Sequence, residues 1–245
     1  MTLMKVVKKN KALFLFSIIA STYFLSQSPA LASVTLGGTR FVYNASEDSL
    51  AVNLNNRDKN PYLVQSWVSK YVPPGVAAKK DSTDNIPFVV TPPLFKMDSG
   101  DSDILNIVKR ESVDLPQDRE SVFYLNVKAI PGKTKDNKSS LMISVDSSMK
   151  LFYRPEKLEG DVASSAWQKV AFSQSGNTVV ASNPTPYFVT FYAININRIK
   201  IKLPQNAMID PFGKLNIPVS GTVHSISWKT LGDQGQITSE KTVTL

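Results

Sequence analysis

The sequence predicts an all-β protein, two immunoglobulin-like β-sandwich domains in tandem, on three observations. Short apolar runs at period two follow one another from residue 34 onward, with no helical periodicity. Seven or so of them fall within the first half, the density expected of such a sandwich. A polar stretch with a proline and a glycine, Pro155 to Asp161, then reads as a linker before a second set of strands. The expected organisation is a leader over 1–32, an N-terminal domain over 33–154 and a C-terminal domain over 155–245.

The leader is read as a secretory signal peptide. Lys5, Lys8, Lys9 and Lys11 form a basic start, Ala12 to Leu25 is mostly apolar, and Ala30-Leu31-Ala32 gives a small-residue cleavage site. Ser17, Ser21 and Thr22 interrupt the apolar run, which is short for a span of about 20 residues. The mature chain would be exported. Of 28 Lys and Arg against 20 Asp and Glu, four lysines lie in the leader, leaving a net charge of +4. That mild excess does not argue for nucleic acid. The chain has no cysteine, which removes thiol catalysis and zinc–thiolate sites.

In the first half, Arg40 to Tyr43 precedes a turn at Asn44 to Asp48, and Leu50 to Leu54 alternates. Tyr62 to Val68 follows a polar turn and places Trp67 as an expected core residue. Phe88-Val89-Val90 runs into Thr91-Pro92-Pro93; prolines cannot donate to a ladder, so the pair implies an edge or a switch between sheets. Ile104 to Val108 comes next. Leu115 to Pro131 opens with the polar turn Asp118-Arg119-Glu120. It then alternates, with Phe123, Leu125 and Val127 on one side and Val122, Tyr124, Asn126 and Lys128 on the other. A short loop, Gly132 to Lys138, leads to a strand from Ser139 to Tyr153.

The second half reads as strands at Gln168–Phe172, Thr178–Ser182, Tyr187–Ile194, Lys200–Leu203, Leu215–Val219, Thr222–Trp228 and Gln236–Val243. His224, the only histidine, falls in one of them and is far more often a packing or surface residue than a general base. Gly232-Asp233-Gln234-Gly235 reads as a hairpin turn. No nucleophile elbow, phosphate-binding loop or clustered metal ligands appear, so neither an enzyme, nor a cofactor, nor a metal site is expected.

The segment Leu115 to Pro131 resembles, over seventeen residues, the signature of the periplasmic pilus-assembly chaperones, the PapD-like family. Thr39-Arg40-Phe41-Val42-Tyr43 looks like that family's N-terminal strand. Met149-Lys150-Leu151-Phe152-Tyr153-Arg154-Pro155 looks like its cleft lysine and the exit that follows. On the residues alone, Arg40 and Lys150 read as ordinary solvated strand positions. The resemblance implies instead two bent domains whose cleft holds the C-terminal carboxylate of a pilus subunit on Arg40 and Lys150.

The same resemblance implies that Leu141, Ile143 and Val145, which share one face at period two, are donated to a subunit lacking its last strand. Glu120, Arg154 and Asp233 match an interdomain ion network. The family usually has asparagine before that aspartate and tyrosine after it, where Gly232 and Gln234 stand here. The short loop and the missing cysteine pair resemble the short-loop branch. Implied partners are fimbrial subunits and an outer-membrane usher in the periplasm, without nucleic acid or a small-molecule cofactor; self-association is left open for the subunit-free state. The competing readings are an exported pilus subunit or adhesin-like binding protein, and a periplasmic enzyme or carbohydrate-binding module. The chain end Lys241 to Leu245 lacks the subunits' usual near-terminal tyrosine.

Overall fold

The computed structural model describes residues 34–73, 85–132, 142–204 and 207–245. The expected leader lies outside the described residues. Strands are numbered in chain order. β1 (Val34–Leu36), β3 (Leu50–Asn56), β7 (Ser102–Lys109) and β5 (Phe88–Thr91) form an antiparallel sheet in that order. β2 (Arg40–Asn44), β9 (Val145–Arg154), β8 (Ser121–Pro131), β4 (Tyr62–Lys70) and β6 (Leu94–Met97) form a second sheet, antiparallel except that β2 runs parallel to β9.

The alternation in β8 sets its sides. Phe123, Leu125 and Val127 turn inward onto Leu54, Val64, Leu105, Ile107 and Leu151, which are almost fully buried. Each such side chain contributes about 1.5–3 kcal/mol by leaving water. At Thr91-Pro92-Pro93 the chain leaves the edge of one sheet, β5, and enters the edge of the other, β6. Ser66 ties down that corner, its backbone N–H donating to the Pro93 carbonyl and its hydroxyl to that of Pro92, both at 2.9 Å.

Two expectations change here. Trp67 is not in the core: Val64, Ser66 and Val68 are the inward positions of β4, and strand parity sends Trp67 to the opposite face beside Asn126. The last strand starts at Val145 rather than Ser139. Residues 142–144 are irregular, with the Ser144 hydroxyl donating to the Ala129 carbonyl at 3.2 Å. Leu141 and most of the expected loop lie outside the described residues.

The second sandwich pairs β10 (Ala171–Ser175), β11 (Thr178–Ser182) and β15 (Lys214–Pro218) in one sheet. The facing sheet runs β13 (Ile199–Lys200), β12 (Val189–Ile196), β16 (Ser225–Leu231), β17 (Lys241–Thr244), with β14 (Met208–Ile209) added along β12. Its separate core centres on Trp228, Ile194, Ile226 and Val179. The Trp228 indole N–H donates to the Trp167 carbonyl at 3.2 Å. The segment carrying Trp167, Ala166–Lys169, is a 3-10 turn, so the strand expected from Gln168 begins at Ala171.

The expected linker is also more ordered than a plain connection. It holds a 3-10 turn, Glu156–Leu158, and is followed by a four-residue helix, Val162–Ser165. His224 sits just before β16 and is exposed. The Asn197 side-chain carbonyl accepts the His224 and Ser225 backbone N–H groups at 2.8 and 3.2 Å and ends the strand there.

Candidate functional site

Strand β9 builds the site. Its odd residues Leu151 and Tyr153 enter the first core, so Lys150, Phe152 and Arg154 face the other way, toward the second sandwich. Phe152 is buried and packs on Phe188 with ring centroids 5.6 Å apart. Lys150 lies on one side of that contact and Arg154 on the other.

The parallel ladder sets Arg40 of β2 opposite Lys150 of β9. Arg40 is firmly held. Its Nη1 donates to the Leu231 and Gly232 carbonyls at 2.8 and 3.1 Å, its Nη2 donates to the Thr190 hydroxyl at 3.2 Å, and the guanidinium lies 4.7 Å from the Phe152 ring centre. Burial lowers its pKa, an effect opposed by the charges of Asp233 and Glu120. Leu231, Gly232 and Thr190 belong to the second sandwich, so Arg40 also ties the two halves together.

Lys150 differs. Among the described residues it has no ion pair, and its Nζ rests 5.7 Å from the centre of the Tyr71 ring. Burial first, and the Arg40 charge second, push it down to about 8. It opens onto a cleft of about 500 Å³ between Tyr124 and Ser148 on one side and Thr190 and Leu231 on the other. Two cations without a carboxylate on Lys150 make this cleft suited to an anion; charge-assisted hydrogen bonds to a carboxylate are roughly twice as strong as neutral ones.

Ahead of Lys150, β9 is half-paired. β8 pairs with it from Val145 to Tyr153, but β2 joins only at Lys150. Among the described residues, Val145 to Met149 therefore keep one edge free. Ile143 is 67% exposed and Val145 46%. Val145 stands on the side of the strand that is core farther along, and Ile143 lies two residues ahead of it in the irregular segment.

Glu120, Arg154 and Asp233 come together on the other side of Phe152. Arg154 Nε donates to Glu120 Oε1 at 2.8 Å, and its two terminal nitrogens reach the two Asp233 oxygens at 2.8 and 3.1 Å. Glu120 Oε2 accepts the Phe188 backbone N–H at 2.8 Å. Glu120 and Arg154 side chains are 3% and 8% exposed while Asp233 is 48% exposed. Burial alone would lower the Arg154 pKa, but the hydrogen bonds to Asp233 and the Glu120 charge raise it. Burial pushes the Glu120 carboxyl up, opposed by the Arg154 charge and the Phe188 N–H.

The departure around Asp233 does not prevent this geometry. Gly235 N–H donates to the Gly232 carbonyl and Gln234 N–H to the Gln236 side chain, closing a tight turn. Gly235 sits at φ +82°, and a Cβ there would meet the Thr39 hydroxyl at 2.4 Å. Sequence reasoning missed Phe152, Phe188, Thr190 and the Leu231 and Gly232 carbonyls. Four of these act through apolar packing or backbone groups, which carry no residue signature, and Thr190 through a hydroxyl like many others. Phe152 alone had a signal, its parity with Lys150 and Arg154.

Comparison with known proteins agrees with this architecture. The model for the pili and flagellar-assembly chaperone, PapD N-terminal domain, matches residues 33–159, and that for the pili assembly chaperone PapD, C-terminal domain, matches 165–242. The chain is 39% identical over 226 residues to the probable fimbrial chaperone LpfB of Escherichia coli O157:H7, covering 90% of this chain and 92% of that protein. It is 36% identical over 217 residues to the chaperone protein FimC of Escherichia coli K12, covering 87% and 85%. The solved structure of the Escherichia coli chaperone DraB superposes with TM-score 0.71 at 32% identity, covering 87% of this chain and 98% of that one. A chain of the Salmonella enterica SafA pilin–SafB chaperone complex gives 0.73 at 26%, covering 89% and 99%. The chain belongs to the PapD-like family of pilus-assembly chaperones.

Proposed function

We propose that this non-enzymatic chaperone works in the periplasm, where it captures a fimbrial subunit by lending it the free edge of β9 and passes it to an outer-membrane usher. The observation that carries this reading is the staggered pairing of β9. β2 begins at Arg40, opposite Lys150, so β9 has an open edge over Val145–Met149 that ends at two cations. An incoming strand added there satisfies its backbone groups along the edge, sets its C-terminal carboxylate on Arg40 and Lys150, and covers Ile143 and Val145. Leu141 extends the same face in sequence. Burying two aliphatic side chains at about 1.5–3 kcal/mol each gives a useful part of the binding energy. The fixed carboxylate sets the register, since a slip by one residue presents the wrong face. The Glu120–Arg154–Asp233 network holds the angle that keeps the cleft open, and the division between the halves falls at Arg154 and Pro155.

SafB was solved in complex with the SafA pilin and the curated relatives are named chaperones, which favours subunit binding over the reading as an exported subunit. In the absence of a subunit, the same edge is open to a second copy of the chain. Amide exchange tests the proposal. Alternate amides between Ser144 and Met149 should be fast in the free protein and slow in a complex with a co-expressed subunit. Exchange unchanged by the subunit overturns strand addition at this edge.

A further inference from the structure

Lys150 poses a problem that Arg40 does not. Arg40 is pinned by three acceptors, whereas Lys150 ends a flexible four-carbon stem with no ion pair among the described residues. A loosely held ammonium is a poor anchor, because ordering it costs rotamer entropy at the moment of binding.

Two rings supply what is missing. Tyr124 stands directly opposite Lys150 in the β8–β9 ladder, so its place is set by strand register. Tyr71, just beyond the end of β4, tilts onto Tyr124 with ring centroids 5.2 Å apart at 47°. Tyr71 in turn carries the Lys150 Nζ over its face. One row along the same face, the Ser148 hydroxyl donates to the Asn126 side-chain oxygen at 2.7 Å, and the Asn126 amide donates to the Ser69 hydroxyl at 2.9 Å. This row spans the same three strands and holds them in step beneath the rings.

We infer that Tyr71 and Tyr124 are positioning residues for the carboxylate anchor, a two-ring wall that holds the Lys150 ammonium at the mouth of the cleft and shields it from water. The inference rests on the carboxylate-anchor reading of Lys150. The ring face attracts the cation without satisfying it by a counter-ion, so the ammonium is kept in place and still available to a carboxylate. The groups facing Lys150 are Arg40 from β2, Tyr124 from β8 and Tyr71; the Asp210 carboxylate of the second half acts on Tyr71. Burial is the larger cause of the depressed Lys150 pKa and Arg40 the smaller one, and the two rings are among the groups packed around the ammonium.

The test reads Lys150 in the full chain through the carbon resonance of its ε-methylene, titrated from about pH 6 to about pH 11. Wild type should titrate near 8. Tyr71→Ala and Tyr124→Ala admit water and should move the midpoint up toward the ordinary lysine value, while Tyr124→Phe, which keeps the ring, brings it back. Tyr71 lies outside any strand, so Tyr71→Ala decides the matter if Tyr124→Ala does not fold. Binding is read in parallel with an alternating apolar peptide bearing a free C-terminal carboxylate and with its C-terminal amide. In Tyr71→Ala the preference for the carboxylate should fall about tenfold at neutral pH. A Lys150 midpoint that stays in place or drops in Tyr71→Ala overturns the ring wall. Full subunit capture by Lys150→Met instead overturns the anchor itself, and leaves the titration to decide the rings separately.

Discussion

Arg40 and Lys150 face each other across a parallel ladder, yet among the described residues Arg40 is hydrogen-bonded to the second sandwich while Lys150 has no ion pair. The same register starts β2 at that point and leaves the preceding half of β9 with an open edge among the described residues. The proposed carboxylate site and the proposed strand-addition site thus rest on one stagger. Residues 110 positions apart in the chain are joined because a parallel partner must come from far along the sequence.

That asymmetry separates two substitutions that look alike. Lys150→Met removes a partly buried cation with no ion pair among the described residues, so its melting temperature should equal or exceed wild type while subunit capture is lost. Arg40→Ala should also lose capture. It leaves the Leu231 and Gly232 carbonyls without their donor as well, at a cost of about 1–3 kcal/mol, and should melt lower. Thermal melts and subunit levels in periplasmic extracts check both. Equal melting of the two variants contradicts the tying role of Arg40.

Lys150 also predicts opposite pH trends for stability and capture. Its folded value is about 8, below the ordinary 10.5, so between those limits the unfolded chain binds a proton that the folded chain has released. The Lys150 contribution to stability therefore rises with pH across that window. Carboxylate capture needs the ammonium and should fall as pH rises past about 8. Denaturant melts and peptide titrations at matched pH test this. A capture profile flat from pH 7 to 10 would remove Lys150 from the anchor, since its charge is lost over that range.

Ile143 and Ser144 are adjacent in the irregular segment ahead of β9, and the proposed strand addition, by extending β9 through them, would put them on opposite sides. Ile143→Asp puts a charge on the side that a subunit core must cover, so complex formation should drop by two orders of magnitude or so, given the roughly 2–3 kcal/mol involved in burying such a side chain. Ser144→Asp should be several-fold milder. Co-purification of subunit with each variant gives the ratio, and equal losses would sink the proposed register.

Much of this was legible in the chain because β8 alternates apolar Phe123, Leu125 and Val127 with Tyr124 and Asn126, and because Thr91-Pro92-Pro93 marks the sheet switch in its own chemistry. Trp67 misled because size was weighed above parity with Val64 and Val68. The 3-10 turn at Ala166–Lys169 was hidden because a tertiary demand, the Trp228 indole seeking a carbonyl, overrides a strand-like run. At the site, Arg40, Lys150 and the ion network were singled out by the family resemblance, not by the residues alone; the carbonyls that hold Arg40 and the Phe188 N–H that holds Glu120 had no such signal, since every residue has them.

The last prediction concerns the ion network between the halves. Arg154 is shared, with nearly buried Glu120 on one side and half-exposed Asp233 on the other. Arg154→Ala leaves the Glu120 carboxylate buried with only the Phe188 N–H, and breaking such a pair costs on the order of 3–5 kcal/mol. Because Asp233 can turn to water, its loss should cost much less, about 1 kcal/mol or below. Asp233→Asn keeps one acceptor toward Arg154 and isolates the charge. The expected order of melting temperatures is wild type, Asp233→Asn slightly lower, and Arg154→Ala far lower. Proteolysis between Pro155 and Asp161 should accelerate in the same order, since the Glu120–Arg154 pair and the Phe188 contact sit beside that segment. Replacing both buried partners, Glu120→Gln with Arg154→Met, removes the stranded charge and should recover part of the melting loss without restoring slow cleavage. If the double variant cleaves as slowly as wild type, the network does not hold the hinge, and the Phe152–Phe188 packing does so instead.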